Sequence, residues 1–169
     1  PDEGARRLRG LQRQIVAANR FGIPAIAHEE CLTGVTAWKA TVYPTPLAWG
    51  ATFDPDIVRE MAARIGGDLR SLGVHQGLSP VLDVVRDYRW GRVEETIGED
   101  PHLVAEIGAA YVEGIEGAGV IATPKHFAGY SASRGARNHA PVSLGRRELN
   151  DVILPPFERA LGIARSVMN

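Results

Sequence analysis

Four short segments hold the residues best placed to do chemistry. They are Glu29-Glu30-Cys31-Leu32-Thr33-Gly34, the run from Pro80 that closes with Arg89-Trp90-Gly91-Arg92, then Glu99-Asp100-Pro101, and Thr123-Pro124-Lys125-His126-Phe127. Each polar group follows an apolar run short enough to be a buried strand. A carboxylate, a guanidinium, an ammonium and an imidazole delivered from successive strand ends describe a pocket for a small polyhydroxylated ligand. Every hydroxyl is both donor and acceptor, so a sugar demands that mixture.

Taken singly, the same residues have plainer readings. A Glu at a loop start is at least as often a solvated surface group, and Glu29 rivals Glu30 for any role. Lys125 and His126, read alone, favour a solvated lysine and a core histidine by roughly two to one. Neighbours in a strand point to opposite faces, so both can reach one ligand only where the backbone leaves strand geometry. Arg86 and Arg89 are expected to pair with Asp87, Glu94 or Glu95. Trp90 either stacks on a sugar face or simply packs. Asp83 is expected to orient an arginine or lysine without touching ligand itself.

The elements that must position these groups alternate between helix and strand. Leu8, Leu11, Ile15 and Ala18 predict an amphipathic helix over 5–19. Ile23 to Ala27 reads as a short apolar strand, and 32–50 as a long loop. Asp54-Pro55 opens a helix that Gly73 stops after Leu72, an N-cap followed by proline at the first helical position. Val74 to Val84 carries the next strand. Asp100-Pro101 repeats the helix start, with Leu103, Ile107, Ala110, Val112 and Ile115 as its buried stripe. Val120 to Thr123 is a further strand. A Gly-, Ser- and Arg-rich loop spans 129–139, 144–161 is mostly helical with a break at Pro155-Pro156, and Ser166-Val167-Met168 begins a fourth strand.

Composition narrows the function classes. At 169 residues the chain fits one domain, and 44% hydrophobic with 23% charged residues is ordinary for a globular protein. A net charge of −1 argues against nucleic acid, which selects basic surfaces. The lone Cys31 excludes an internal disulfide framework. No apolar run reaches the roughly 18 residues of a membrane-crossing helix, so no membrane partner is expected. The start at Pro1 and the stop inside the Ser166-Val167-Met168 run read as cuts through a longer chain, whose remainder is then an expected partner.

Strands alternating with helices of this length predict parallel βαβ units. An open doubly wound sheet would carry a glycine-rich phosphate loop after a strand, and none is present. In a barrel, function sits where several strands end, as Glu30, 83–92 and Lys125-His126 are placed. The expected fold is α/β, about half of a TIM-like (β/α)8 barrel.

The ordered series of motifs resembles glycoside hydrolase family 3. The segments that carry the resemblance are Glu30 to Gly34, Pro80 to Arg92, Gly98-Glu99-Asp100-Pro101 and Lys125-His126-Phe127. They span nearly the whole chain in the family's order. Thr33 stands where His is common, Tyr88 where Pro is common, and Gly98 where Ser is common.

The resemblance implies that residues 1–169 are part of the catalytic barrel domain of an O-glycosyl hydrolase of the β-glucosidase type. Such enzymes cleave terminal non-reducing β-D-glycosyl residues with retention. Retention uses two carboxyl groups roughly 5 Å apart, a nucleophile and an acid/base. In the family both lie beyond the strand begun at Ser166, so no catalytic residue is expected in this segment, which would be inactive alone. The family's motif register selects Glu30 over Glu29 and makes Glu30, Arg92, Lys125 and His126 the substrate-binding residues. The partner implied is a small-molecule glycoside or oligosaccharide, with no cofactor.

Ala128-Gly129-Tyr130-Ser131 replaces the histidine-bearing loop of the family's N-acetylhexosaminidase branch, which argues against that activity. A β-xylosidase of the same family and a non-catalytic sugar-binding module remain alternatives. A phosphate- or metal-handling barrel has little support, because the five histidines show no ligand spacing on one helix.

Overall fold

The computed structural model describes residues 2–169, so expectations attached to Pro1 lie outside it. Helix α1 runs Asp2–Ala18, strand β1 His28–Glu29, helix α2 Pro46–Thr52, helix α3 Pro55–Leu72 and strand β2 Gln76–Gly77. Helix α4 follows at Pro101–Gly117, strand β3 at Ile121–Ala122, and short helices α5 (Arg146–Glu148) and α6 (Pro155–Leu161) flank a π-helical stretch at Leu149–Ile153.

The sheet is parallel, in the order β1-β2-β3, with His28 opposite Gln76 and Gln76 opposite Ile121. Sequential parallel neighbours are the winding of a barrel; a doubly wound sheet reverses its order at a switch point. Helix α4 packs between α3 and α6, so consecutive crossovers lie side by side. Parallel bridges from Lys125 to Val81 and to Met168 extend the same arc. The chain is an arc of a TIM-like α/β barrel.

Helix boundaries follow the capping chemistry. The Asp54 carboxylate accepts from the backbone N–H groups of Asp56 and Ile57, and Gly73 ends α3 at φ 87°, a conformation other residues rarely adopt. The Asp100 carboxylate accepts from the Leu103 N–H at 2.8 Å. At the α5–α6 junction the Leu154 N–H reaches back to the Leu149 carbonyl at 2.9 Å, and Pro155 and Pro156, which have no N–H to donate, open α6.

The core lies around α4. Val104, Ile107, Tyr111, Val112 and Ile115 pack against Val58, Ala62, Ile65 and Leu69 of α3. Gly114 allows the close approach, since a Cβ there would sit 2.4 Å from the Arg59 carbonyl oxygen. Burial of α4 extends well round the helix, so the single predicted stripe is too narrow, and Leu103 is only partly covered.

Three other expectations are corrected. The strand over 23–27 does not form, because side chains from α1, from the residue after it and from the residue before β2 take its hydrogen bonds. Asn19 bonds both backbone groups of Ile23, Gln12 bonds both of Ala25, and His75 Nδ1 accepts from the Ala27 N–H at 3.0 Å. The fourth strand reduces to the Met168 bridge. The loop over 32–50 contains the start of α2, which opens on Pro46 and buries Trp49 in a stack on Tyr111 at 4.7 Å. Among the described residues no helix is long and apolar enough to cross a membrane.

Candidate active-site wall

The polar groups singled out in the sequence converge at the C-terminal ends of the strands. Glu30 follows β1 directly, and Lys125 lies just past β3 on the bridge to Val81. Arg92 precedes the 3-10 turn Val93–Glu95. The Lys125–His126 peptide is cis.

Two polar assemblies make up the wall. In the first, the Lys125 ammonium donates to both oxygens of Glu30, at 2.9 and 2.8 Å. Lys125 is 2% exposed, while the Glu30 side chain is 56% exposed. The buried cation therefore holds the carboxylate out toward solvent. Beneath Glu30, Ser79 Oγ donates to the Tyr111 hydroxyl at 3.0 Å and Tyr111 donates to the Cys31 carbonyl at 2.8 Å. The Cys31 thiol lies 2.9 Å from Ser79 Oγ. Burial pushes the Cys31 thiol and the Tyr111 phenol up, so both stay protonated and this cluster forms a neutral floor.

The second assembly is a row of four side chains. The Arg92 Nε and Nη2 groups donate to the two oxygens of Glu95, each at 2.6 Å. Its Nη1 lies 3.0 Å from His126 Nε2. His126 Nδ1 lies 2.8 Å from Asp83 Oδ2, which also accepts from the His126 backbone N–H at 3.2 Å. The bidentate bond to Arg92 holds the Glu95 carboxyl below the usual range and pushes the guanidinium up, which fixes both charges. Tyr130 packs edge-on to His126 at 5.0 Å and under the Arg92 guanidinium at 5.7 Å.

Arg92 separates two cavities. One, of about 430 Å³, is lined by Glu30, Thr33, Thr36, Thr45, Arg92 and Glu95. The other, of about 450 Å³, is lined by Arg92, His126, Phe127, Tyr130 and His139 among others. The first is rich in hydroxyls and carboxylates and the second in rings, a pairing suited to a polyol and an apolar substituent. Among the described residues no three His, Cys, Asp or Glu side chains converge as metal ligands would.

Several local expectations change. Arg89 does pair with Asp87, but Arg86 reaches across to Glu148 at 3.2 Å. Asp83 holds a histidine in place of the expected arginine or lysine. Trp90 is 3% exposed and packs edge-on against Tyr130, which removes it from any sugar face. His126 has both ring nitrogens engaged, so it has no N–H to spare for a hydroxyl in this arrangement. Glu95 was visible only as a generic loop partner; its i, i+3 spacing from Arg92 was the signal for the bond it makes.

The family model described as glycosyl hydrolase family 3 N terminal domain matches residues 1–169. The chain is 41% identical to a β-xylosidase of Formosa agariphila over 161 residues, covering 86% of this chain and 22% of that protein. It is 33% identical to a β-glucosidase of Rhizobium radiobacter, covering 86% and 19% respectively. Among solved structures, a β-glucosidase from Erythrobacter marinus superposes with a TM-score of 0.95 at 41% identity, over 99% of this chain and 23% of that one. A β-glucosidase from Listeria innocua, a mutant solved with laminaribiose, gives 0.90 at 37% identity, over 96% and 23%. The chain thus spans about a fifth of the length of the curated relatives it matches.

Proposed function

This chain belongs to glycosyl hydrolase family 3, and we propose that it forms the sugar-binding wall of a retaining β-glycosidase of the β-glucosidase type. In this reading residues 1–169 are a segment of the catalytic barrel domain, and the nucleophile and acid/base are contributed from outside them. The observation that carries it is the convergence of Glu30, Lys125, His126 and Arg92 at one end of the parallel strands. The exposed Glu30 carboxylate accepts from two adjacent hydroxyls of the terminal sugar, and Lys125 adds a donor beside it. Arg92 approaches the same ring, and His126 stands behind Arg92. A ligand lacking one of those hydroxyls leaves a charged group unpaired, which is where specificity would arise.

Laminaribiose on the Listeria relative supports an oligosaccharide substrate. A β-xylosidase is the second reading, favoured by the 41% identity to the Formosa enzyme. The test is turnover of aryl β-glucosides and β-xylosides by the whole protein, with proton NMR of the first sugar released. Retention predicts a β-anomer first; an α-anomer first would overturn the double displacement. Binding of sugar without turnover of either substrate would leave a non-catalytic binding module.

A further inference from the structure

Away from the wall, the loop between Thr33 and Tyr43 holds a tryptophan out in solvent. Trp38 is 87% exposed, the most of any large apolar side chain among the described residues. The loop that carries it is tightly built. The Tyr43 N–H donates to the Thr33 carbonyl at 2.9 Å and closes the neck, and the Ala40 N–H donates to the Ala37 carbonyl at 3.0 Å and closes the tip. Trp38 and Lys39 are therefore the two central residues of a tight turn. Lys39 sits at φ 67°, a left-handed conformation that this turn position normally gives to Gly or Asn. A lysine there costs conformational energy, and it sets an ammonium beside the indole.

Behind the tip lies a cavity of about 150 Å³, between the loop and the last turns of α3. Val35, Ala40 and Leu72 give it apolar walls, and Lys39 and Asp68 place one charge of each sign on it. Among the described residues neither charge has an ion-pair partner.

We propose that this patch is a two-fold contact between two copies of the chain, in which Trp38 of each copy enters the cavity of the other and Lys39 pairs with the partner's Asp68. The patch itself selects that partner. A contact about a two-fold axis needs a surface complementary to itself. Here a protruding ring, a cavity of the size that takes a benzene-like ring, and one charge of each sign lie together. A partner carrying a single sign of charge would leave either Lys39 or Asp68 unpaired at the contact, whereas a second copy pairs both. Tryptophan is also among the side chains most enriched as anchors of protein contacts. The exposed Val42 on the same loop widens the apolar area. None of the residues lining this cavity lines either cavity of the wall, so the contact does not rest on the sugar-binding reading.

Sedimentation of the whole protein over a range of concentrations, in low salt, tests the contact without any turnover. A reversible dimer is expected. Trp38→Ala should weaken self-association by at least about 30-fold, as loss of an aromatic anchor does. Lys39→Glu and Asp68→Lys should each weaken it by at least about 10-fold, because each sets like charges against one another at two places. Mixed in equal amounts, these two charge variants should dimerise with each other, since across the axis every altered charge then faces its opposite. Carrying both substitutions in one chain should restore the dimer as well, and neither rescue would follow from a folding defect. A whole protein that sediments as a monomer throughout would overturn the proposal, leaving Trp38 to its own polypeptide or to solvent. A dimer that survives Trp38→Ala, or that ignores both charge reversals, would place the contact elsewhere and overturn it too. So would charge variants that keep the Tm of the unaltered protein yet fail to pair when mixed.

Discussion

The Glu30–Lys125 pair and the Asp83–His126–Arg92–Glu95 row serve the same wall by opposite constructions. In the pair the cation is buried and the anion faces solvent. In the row a carboxylate is buried, and exposure rises stepwise through His126 (14%) and Arg92 (29%) to Glu95 (34%). The buried member in each case is an anchor, and the group offered to a ligand is a more exposed one, Glu30 in the pair and Arg92 in the row. They differ in redundancy. Glu30 is the one side chain hydrogen-bonded to the Lys125 ammonium among the described residues, whereas Arg92 is held by two partners and His126 by two. A single loss should break the pair and only loosen the row.

The largest effect follows from that lack of redundancy. Glu30→Ala leaves a buried ammonium without its partner, and in the whole protein it should destabilise by about 3 kcal/mol. That lies at the low end for a broken buried pair, because the half-exposed Glu30 lets water reach the gap. Adding Lys125→Met should restore most of the loss, since two apolar replacements leave no charge unpaired. Urea denaturation of the two single variants and the double variant reads this out. A double variant as unstable as the sum of the singles would show that the pair is not an isolated unit.

The row should respond more mildly. Arg92→Lys loses the bidentate bond to Glu95 but keeps a charge, and should lower kcat/KM by about 10- to 100-fold. Its stability should move by no more than about 0.5 kcal/mol. A stability loss matching that of Glu30→Ala would erase the distinction between the two constructions.

Smaller still is the acid response of Glu95. Its carboxyl titrates lower in the folded protein than in the unfolded chain because of the bond to Arg92. The stability this contributes is present above the unfolded value of about 4.3 and is lost as pH falls below it. With a third of the side chain exposed, the contribution should stay under about 1 kcal/mol. Urea midpoints at about pH 5 and about pH 3 should therefore fall less on acidification in Glu95→Gln than in the unaltered protein. An unchanged acid slope would remove the ion pair from the account.

The control is the surface pair nearby. The Arg89 guanidinium beside Asp87 holds its carboxyl down at about 2. Arg89→Ala should return Asp87 to the ordinary range in an NMR titration, with no change in Tm, because exposed pairs add little to stability. A clear drop in Tm would mean that this turn supports the wall.

Much of the fold was legible because its signals are local. Asp54-Pro55, Gly73 and Asp100-Pro101 fix helix ends through side-chain and backbone chemistry that needs no tertiary context. What the sequence hid depends on long-range partners. Ile23 to Ala27 has the composition of a strand, but Asn19, Gln12 and His75 claim its backbone. The stripe of α1 predicts burial, yet Leu11 and Ile15 are exposed here, as are Phe21, Ile23 and Ile26 beside the open edge of β1. In the site, residue types and motif order marked Glu30, Arg92, Lys125 and His126. Nothing in their spacing showed that Lys125 would be buried while Glu30 faced out, or that Asp83 and Arg92 would saturate the imidazole.

The central claim is that one sugar ring bridges the pair and the row. No side-chain hydrogen bond joins the two assemblies among the described residues. They are linked through the Lys125–His126 peptide and the charge of Lys125 near Glu95, routes that stability reads as well, so a shared ligand shows as coupling in kcat/KM beyond that in stability. The direct measurement is a cycle of Lys125→Met and Arg92→Lys in the whole protein, read both as stability and as kcat/KM on an aryl β-glucoside or β-xyloside. The account predicts stabilities that add to within about 0.5 kcal/mol and kcat/KM losses that fall short of additivity by about 0.5–3 kcal/mol. Losses in kcat/KM that add as fully as the stabilities do would contradict it, and would place Lys125 and Arg92 on different ligands or on none.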